Sequence, residues 1–76
     1  MSARVRFALA GYGAWGRHHA AAIAANADAS LVAVAAPSEA SRAAAALDHP
    51  QARVFADPLE MIGAVDCEVV DVVTPS

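Results

Sequence analysis

The hydrophobic positions of this chain fall into two alternating kinds of segment, short apolar runs and alanine-rich stretches with polar residues at helical intervals. Residues 5–10 (VRFALA) run apolar into Gly11, as expected of a strand covered on both faces in a parallel sheet. From Ala14 to about Ala25 strong helix formers dominate, with Trp15, His19, Ala22 and Ile23 recurring at three- and four-residue steps and Asn26 as the stop. Residues 31–35 (LVAVA) form a second strand, which Pro37 closes. Ser38 then reads as the N-cap of a helix to about Leu47, with Glu39 at its positive dipole end. Residues 53–56 make a brief third strand, and Asp57, Pro58 and Glu60 read as N-cap, first-turn proline and capping-box partner. That last helix is expected to run to about Ile62 and stop at Gly63, before a fourth strand over 69–74 (VVDVVT) closed by Pro75.

Strands alternating with helices demand crossovers and parallel pairing. The class is therefore α/β, a Rossmann-type parallel sheet of order 3-2-1-4 with flanking helices, incomplete at its fourth strand. That strand is expected to be an exposed apolar edge, open to pairing with a second copy in a homo-oligomer.

Composition narrows the picture. The 76 residues are 58% hydrophobic and 17% charged, too apolar for a disordered chain. They hold one domain at most, with no repeat or linker dividing 1–76. A net charge of −3 leaves no basic stripe for a nucleic-acid backbone. No run approaches the roughly 20 apolar residues of a membrane span. Gly11, Gly13, Gly16 and Arg17 interrupt the N-terminal apolar stretch before a signal peptide is formed. Cys67 is the single cysteine, so a disulfide within the chain is impossible and a reducing cytoplasm is the expected location.

The chemistry centres on Gly11-Tyr12-Gly13-Ala14-Trp15-Gly16, a G-x-G-x-x-G run that follows a strand and opens a helix. In that setting the first glycine turns the chain, the second admits a pyrophosphate against the backbone, and the third brings helix and strand together. The amides of Ala14 and Trp15 then stand at a helix N-terminus, where unpaired donors attract an anion. The ligand class this implies is a dinucleotide, NAD or NADP. An NAD site usually has an acid about 20 residues beyond the glycines to hold the ribose diol. Here that count reaches Ala36, which would not repel a 2′-phosphate. Ser38, Ser41 or Arg42 could hold such a phosphate at the next helix N-terminus, so both cofactors stay open, with the balance toward NADP.

These residues resemble the N-terminal domain of the glucose-fructose oxidoreductase, inositol dehydrogenase and rhizopine-catabolism family, Gfo/Idh/MocA. The likeness rests on RFALAGYGAWGRHHAAAI, LVAVAAPSEASRAAAA and DPLEMIGAVDCEVVDVVTPS. Trp15, Arg17 and His19 match the family's opening motif, and Thr74-Pro75 its T-P motif. The resemblance implies an oxidoreductase that transfers hydride to or from a sugar, polyol or related substrate. It places Thr74 and Pro75 against the nicotinamide side of the cofactor. It also implies that the general acid and base, typically a lysine in a Lys-Pro motif and a later histidine, belong to a substrate domain outside this segment. The chain contains no lysine, and no catalytic residue is assigned within it.

Other residues carry less. His18 and His19 are adjacent and point about 100° apart on a helix, so they cannot clamp one metal. His19 is expected to pack or bond near the nucleotide loop, His18 to be solvated, and His49 to lie in a loop before Pro50. Cys67 lies between Asp66 and Glu68, which disfavour a thiolate. Asp71, inside the fourth strand, needs a partner and is expected to be structural. The rival to an enzyme's cofactor domain is a stand-alone dinucleotide-binding or regulatory module; an adenosylmethionine site is a third reading, weakened by the three glycines.

Overall fold

In a computed structural model that describes residues 4–73, the elements run β1 (Val5–Ala10), α1 (Ala14–Ala25), β2 (Ala29–Ala35), α2 (Glu39–Asp48), β3 (Arg53–Phe55), α3 (Pro58–Ala64) and β4 (Val69–Val72). The four strands pair in parallel in the order β3-β2-β1-β4. The chain thus winds outward from β1 to β3 and crosses back through α3 to lay β4 on the other side of β1. The carboxyl ends of β1 and β4 flank the point where the winding reverses, and open sheets of this kind bind ligands there.

The two sheet faces are built differently. Leu9, Leu31 and Val34 lie with Tyr12, Ala20, Ile23 and Ala45, so α1 and α2 cover one face. Ala8, Ala10, Ala33 and Ala35 face Met61 and Phe55 on the other, where short side chains let α3 lie close to the strands. Burial of an aliphatic side chain such as Leu9 or Leu31 is worth about 2 kcal/mol. A register shift between Phe7 and Ala8 pairs Phe7 with Leu31 but Ala8 with Ala33. The extra residue, Val32, changes the parity of β2 and keeps Leu31 and Val34 on the same face despite their odd spacing.

Three local expectations are corrected. The inward stripe of α1 is Gly16, Ala20 and Ile23, whereas Trp15 is 65% exposed and His19 and Ala22 are also exposed. The cause is the approach of Gly16 to the carbonyl of Gly11, which fixes the rotation of the helix by backbone contact before any large side chain can compete. Gly63 does not end α3, which runs to Ala64 and closes with the Val65 amide donating to the Met61 carbonyl. Among the described residues only Gly11 has positive φ, so no left-handed stop forms at Gly63. The second strand also starts two positions earlier than its apolar run, because Val5 and Arg6 pair with Ala29 and Ser30.

A Cβ at position 16 would lie 2.3 Å from the Gly11 carbonyl oxygen, which is backbone and cannot step aside. Gly16→Ala is therefore expected to destabilise the fold by about 3 kcal/mol, the upper end of the cost of overpacking. The check is the urea midpoint of the far-UV circular dichroism transition, and an unchanged midpoint contradicts this packing.

Candidate functional site

The strand-to-helix turn after β1 is shaped by three glycines that do separate work. Gly11 sits at φ +110°, and a Cβ there would meet the Val73 carbonyl oxygen at 2.3 Å, so the turn is pressed against the end of β4. Its amide donates to the Ala35 carbonyl at 2.7 Å and ties the same turn to the end of β2. Gly16 lets α1 close onto Gly11. Gly13 differs from both, because a Cβ built there meets nothing within 4 Å. The fold does not need glycine at that position for space, and the surface beside it is open for a ligand to reach the backbone.

The helix that starts at this surface has unclaimed donors. Ser38 caps α2 by accepting from the Ser41 amide, and Asp57 caps α3 by accepting from the Leu59 amide. At α1 the N-cap is Gly13, with no side-chain cap and no acid in the first turn. The first backbone bond of the helix runs from the Arg17 amide to the Gly13 carbonyl. The preceding amides, at Ala14, Trp15 and Gly16, are the orphan donors of a helix start, held at the positive end of its dipole. A pyrophosphate satisfies both requirements, since it offers anionic acceptors and needs close backbone approach.

Tyr12, between the first two glycines, points inward and is 3% exposed. Its hydroxyl donates to Asp48 Oδ2 at 2.7 Å, Arg17 pairs with the same oxygen at 3.7 Å, and its ring meets His49 edge-on at 6.1 Å. Burial, then the hydrogen bond to Asp48 and its charge, push the Tyr12 hydroxyl up to about 12. His49, in the loop before Pro50 as expected, caps the C-terminus of α2 and is 8% exposed. Over this cluster lies an open cleft of about 500 Å³ reaching to Arg17 and His18 on α1. A smaller hollow of about 330 Å³ continues past Gly13 and Ala14 to Ser41 on α2.

The remaining candidates divide. Ala36 follows β2 and is 1% exposed, with its amide bonded to the Phe55 carbonyl. Arg42 folds back on the same turn, where Nη1 donates to the carbonyls of Ala36 and Pro37, each at 2.9 Å. Ser38 caps α2 beside them. Thr74 and Pro75 lie outside the described residues. His19 donates from Nδ1 to Asp71 Oδ2 at 2.7 Å, which supplies the partner that the strand carboxylate needs and joins α1 to β4. Pairing in sequence-distant partners such as Tyr12–Asp48 and His19–Asp71 leaves no spacing signal in the chain; the unexplained charge inside β4 was the one clue available. Among the described residues no three His, Cys, Asp or Glu side chains gather closely enough to hold a metal ion, and no helix is long and apolar enough to cross a membrane.

A family model described as "Oxidoreductase family, NAD-binding Rossmann fold" (GFO_IDH_MocA) matches residues 5–76. The chain belongs to the Gfo/Idh/MocA oxidoreductase family. Among solved structures it is similar to the apo scyllo-inositol dehydrogenase from Lactobacillus casei, with 28% identity and a TM-score of 0.90 over 100% of this chain and 23% of that one. The same enzyme with bound NAD(H) and scyllo-inositol aligns at 28% identity and a TM-score of 0.82, over 96% of this chain and 22% of that one. The WlbA dehydrogenase from Bordetella pertussis, in complex with NADH and UDP-GlcNAcA, aligns at 28% identity and a TM-score of 0.86 over 96% of this chain and 22% of that one. No curated protein matches the chain. The chain thus spans 22–23% of the length of these solved relatives. It is a Gfo/Idh/MocA NAD-binding Rossmann domain, and the open cradle at Gly13 fits that assignment.

The burial of Tyr12 and its bond to Asp48 carry a pH signature. A tyrosine that titrates near 10 when unfolded and at about 12 when folded stabilises the fold fully below pH 10, and loses that contribution as pH rises from 10 to 12. Chemical denaturation across that window is expected to show stability falling in the native protein and falling less in Tyr12→Phe; equal slopes contradict the bond.

Proposed function

We propose that this chain is the cofactor-binding part of an NAD(P)-dependent oxidoreductase acting on a sugar, polyol or related hydroxyl substrate. The observation that carries the reading is the open space at Gly13 beside uncapped amides, which supports a cradle for an anionic ligand. When bound, the dinucleotide supplies the hydride acceptor or donor. The chain's own part is to hold and orient it. The amides of Ala14 and Trp15 take the pyrophosphate, and Gly11 and Gly16 keep those amides in place. The substrate class rests on the names of the similar structures, an inositol dehydrogenase and an enzyme solved with a UDP-sugar. The substrate-binding and proton-transfer groups belong to a further domain, in keeping with the relatives' greater length. Thr74 and Pro75 meet the nicotinamide side in this reading, and the cytoplasm is its cellular setting.

The same proposal favours NADP over NAD. Ala36 offers no carboxylate to a ribose diol and no repulsion to a 2′-phosphate. Arg42 sits at that turn with Nη1 committed to two backbone carbonyls, and its other guanidinium donors can serve a phosphate beside the Ser38 hydroxyl.

Calorimetric titration with NAD and NADP at matched ionic strength tests both parts. Gly13→Val is expected to keep the thermal transition and lose both ligands, because its side chain enters only the ligand's space. Arg42→Ala is expected to weaken NADP about tenfold more than NAD. Undiminished binding by Gly13→Val overturns the cradle, and a wild-type preference for NAD overturns the cofactor choice.

A further inference from the structure

An acid at the last turn of a helix stands against the dipole, and Asp48 is the final residue of α2. Such a placement is retained when something compensates it, and both groups that do so here come from the cradle. Tyr12 lies inside the glycine run, and Arg17 directly follows it. The Tyr12 side chain crosses the α1-α2 face of the sheet among Leu9, Ala20 and Val34 to reach Asp48, 36 residues away in sequence. His49, the next residue, closes on the Tyr12 ring with its plane at 89°. The end of α2 therefore grips the one non-glycine residue between Gly11 and Gly13.

That grip answers a mechanical problem. A turn of two glycines around one residue has more backbone freedom than one built of ordinary residues, and affinity is weakened by the fraction of time the turn is misplaced. Gly11 is held by its amide bond to Ala35, and Gly16 by its contact with the Gly11 carbonyl. Gly13 is held less: nothing lies within 4 Å of its missing side chain, and its carbonyl is tied only to the Arg17 amide at the start of α1. Its position depends on its neighbour Tyr12 and on the helix that follows.

We propose that Tyr12, Asp48 and Arg17 form a strut that presets the pyrophosphate cradle, with Tyr12 and Asp48 acting as positioning residues for dinucleotide binding. The proposal rests on the cradle reading above. The strut touches no ligand; it acts by fixing Gly13 so that the Ala14 and Trp15 amides are aimed before the ligand arrives. Tyr12→Phe keeps the buried ring and removes the tie. Asp48→Ala removes the acceptor, and Asp48→Asn keeps an acceptor oxygen while giving up the charge.

The test combines affinity with loop order, measured well below the melting transition of each variant. Tyr12→Phe and Asp48→Ala are each expected to raise the Kd for NAD and NADP about fivefold, the worth of one net hydrogen bond. The double variant is expected to be no weaker than either single one, and Asp48→Asn to restore most of the affinity. In the ligand-free proteins, amide order parameters at Tyr12 and Gly13 are expected to fall from near 0.85 in Tyr12→Phe while those of Leu9 and Val34 stay fixed. Unchanged Kd values and order parameters, or additive effects in the double variant, overturn the strut. Wild-type protein that binds neither dinucleotide overturns the cradle reading instead, and the order parameters then decide the strut's hold on the loop by themselves.

Discussion

The structure depends on a contact with no side chains in it. The Gly11 carbonyl lies where a Cβ of Gly16 would be, and the Val73 carbonyl lies where a Cβ of Gly11 would be. Backbone meets backbone on both sides of the turn, so β1, α1 and the end of β4 are locked at distances that ordinary residues forbid. The rotation of α1 follows from this contact, as does the choice of Ala20 and Ile23 as its buried face. So does the exposure of Trp15, which the turn carries outward.

Function follows from the asymmetry among the glycines. Gly11 and Gly16 are required by the packing of the turn and Gly13 is not, so the backbone at Gly13 is open to close approach by a ligand. The electrostatics agree with the sterics. The chain caps α2 and α3 with Ser38 and Asp57, each satisfying an orphan donor, and leaves α1 without a side-chain cap where the open space lies. Membership of the Gfo/Idh/MocA family makes this an NAD-binding Rossmann domain, and the uncapped helix start is the place proposed here for that ligand.

Much of this was legible in the residues because it is local. Apolar runs ending at Gly11, Pro37 and Asp57 marked strand ends, and Ser38, Asp57 and Pro58 marked helix starts through chemistry confined to one turn. The strand order also followed, since alternating elements leave few alternatives to a parallel sheet. What escaped was set by contacts between distant segments. The inward face of α1 could not be read from side-chain hydrophobicity when alanine fills most of the helix and glycine sets the docking. Gly63 looked like a stop, yet α3 runs through it and ends at Val65 with extended backbone, because glycine marks a helix end only where the chain turns left-handed. The partners of Tyr12 and Asp71 lie 36 and 52 residues away, beyond any periodic pattern.

The claim beneath all of this is that the start of α1 is a prepared receptor for two linked phosphates. Its most direct test is a two-dimensional amide NMR titration of the protein with NADH. The signals of Gly13, Ala14, Trp15 and Gly16 are expected to move first and farthest, in step with saturation. Signals that stay in place at these amides while another surface responds would contradict it.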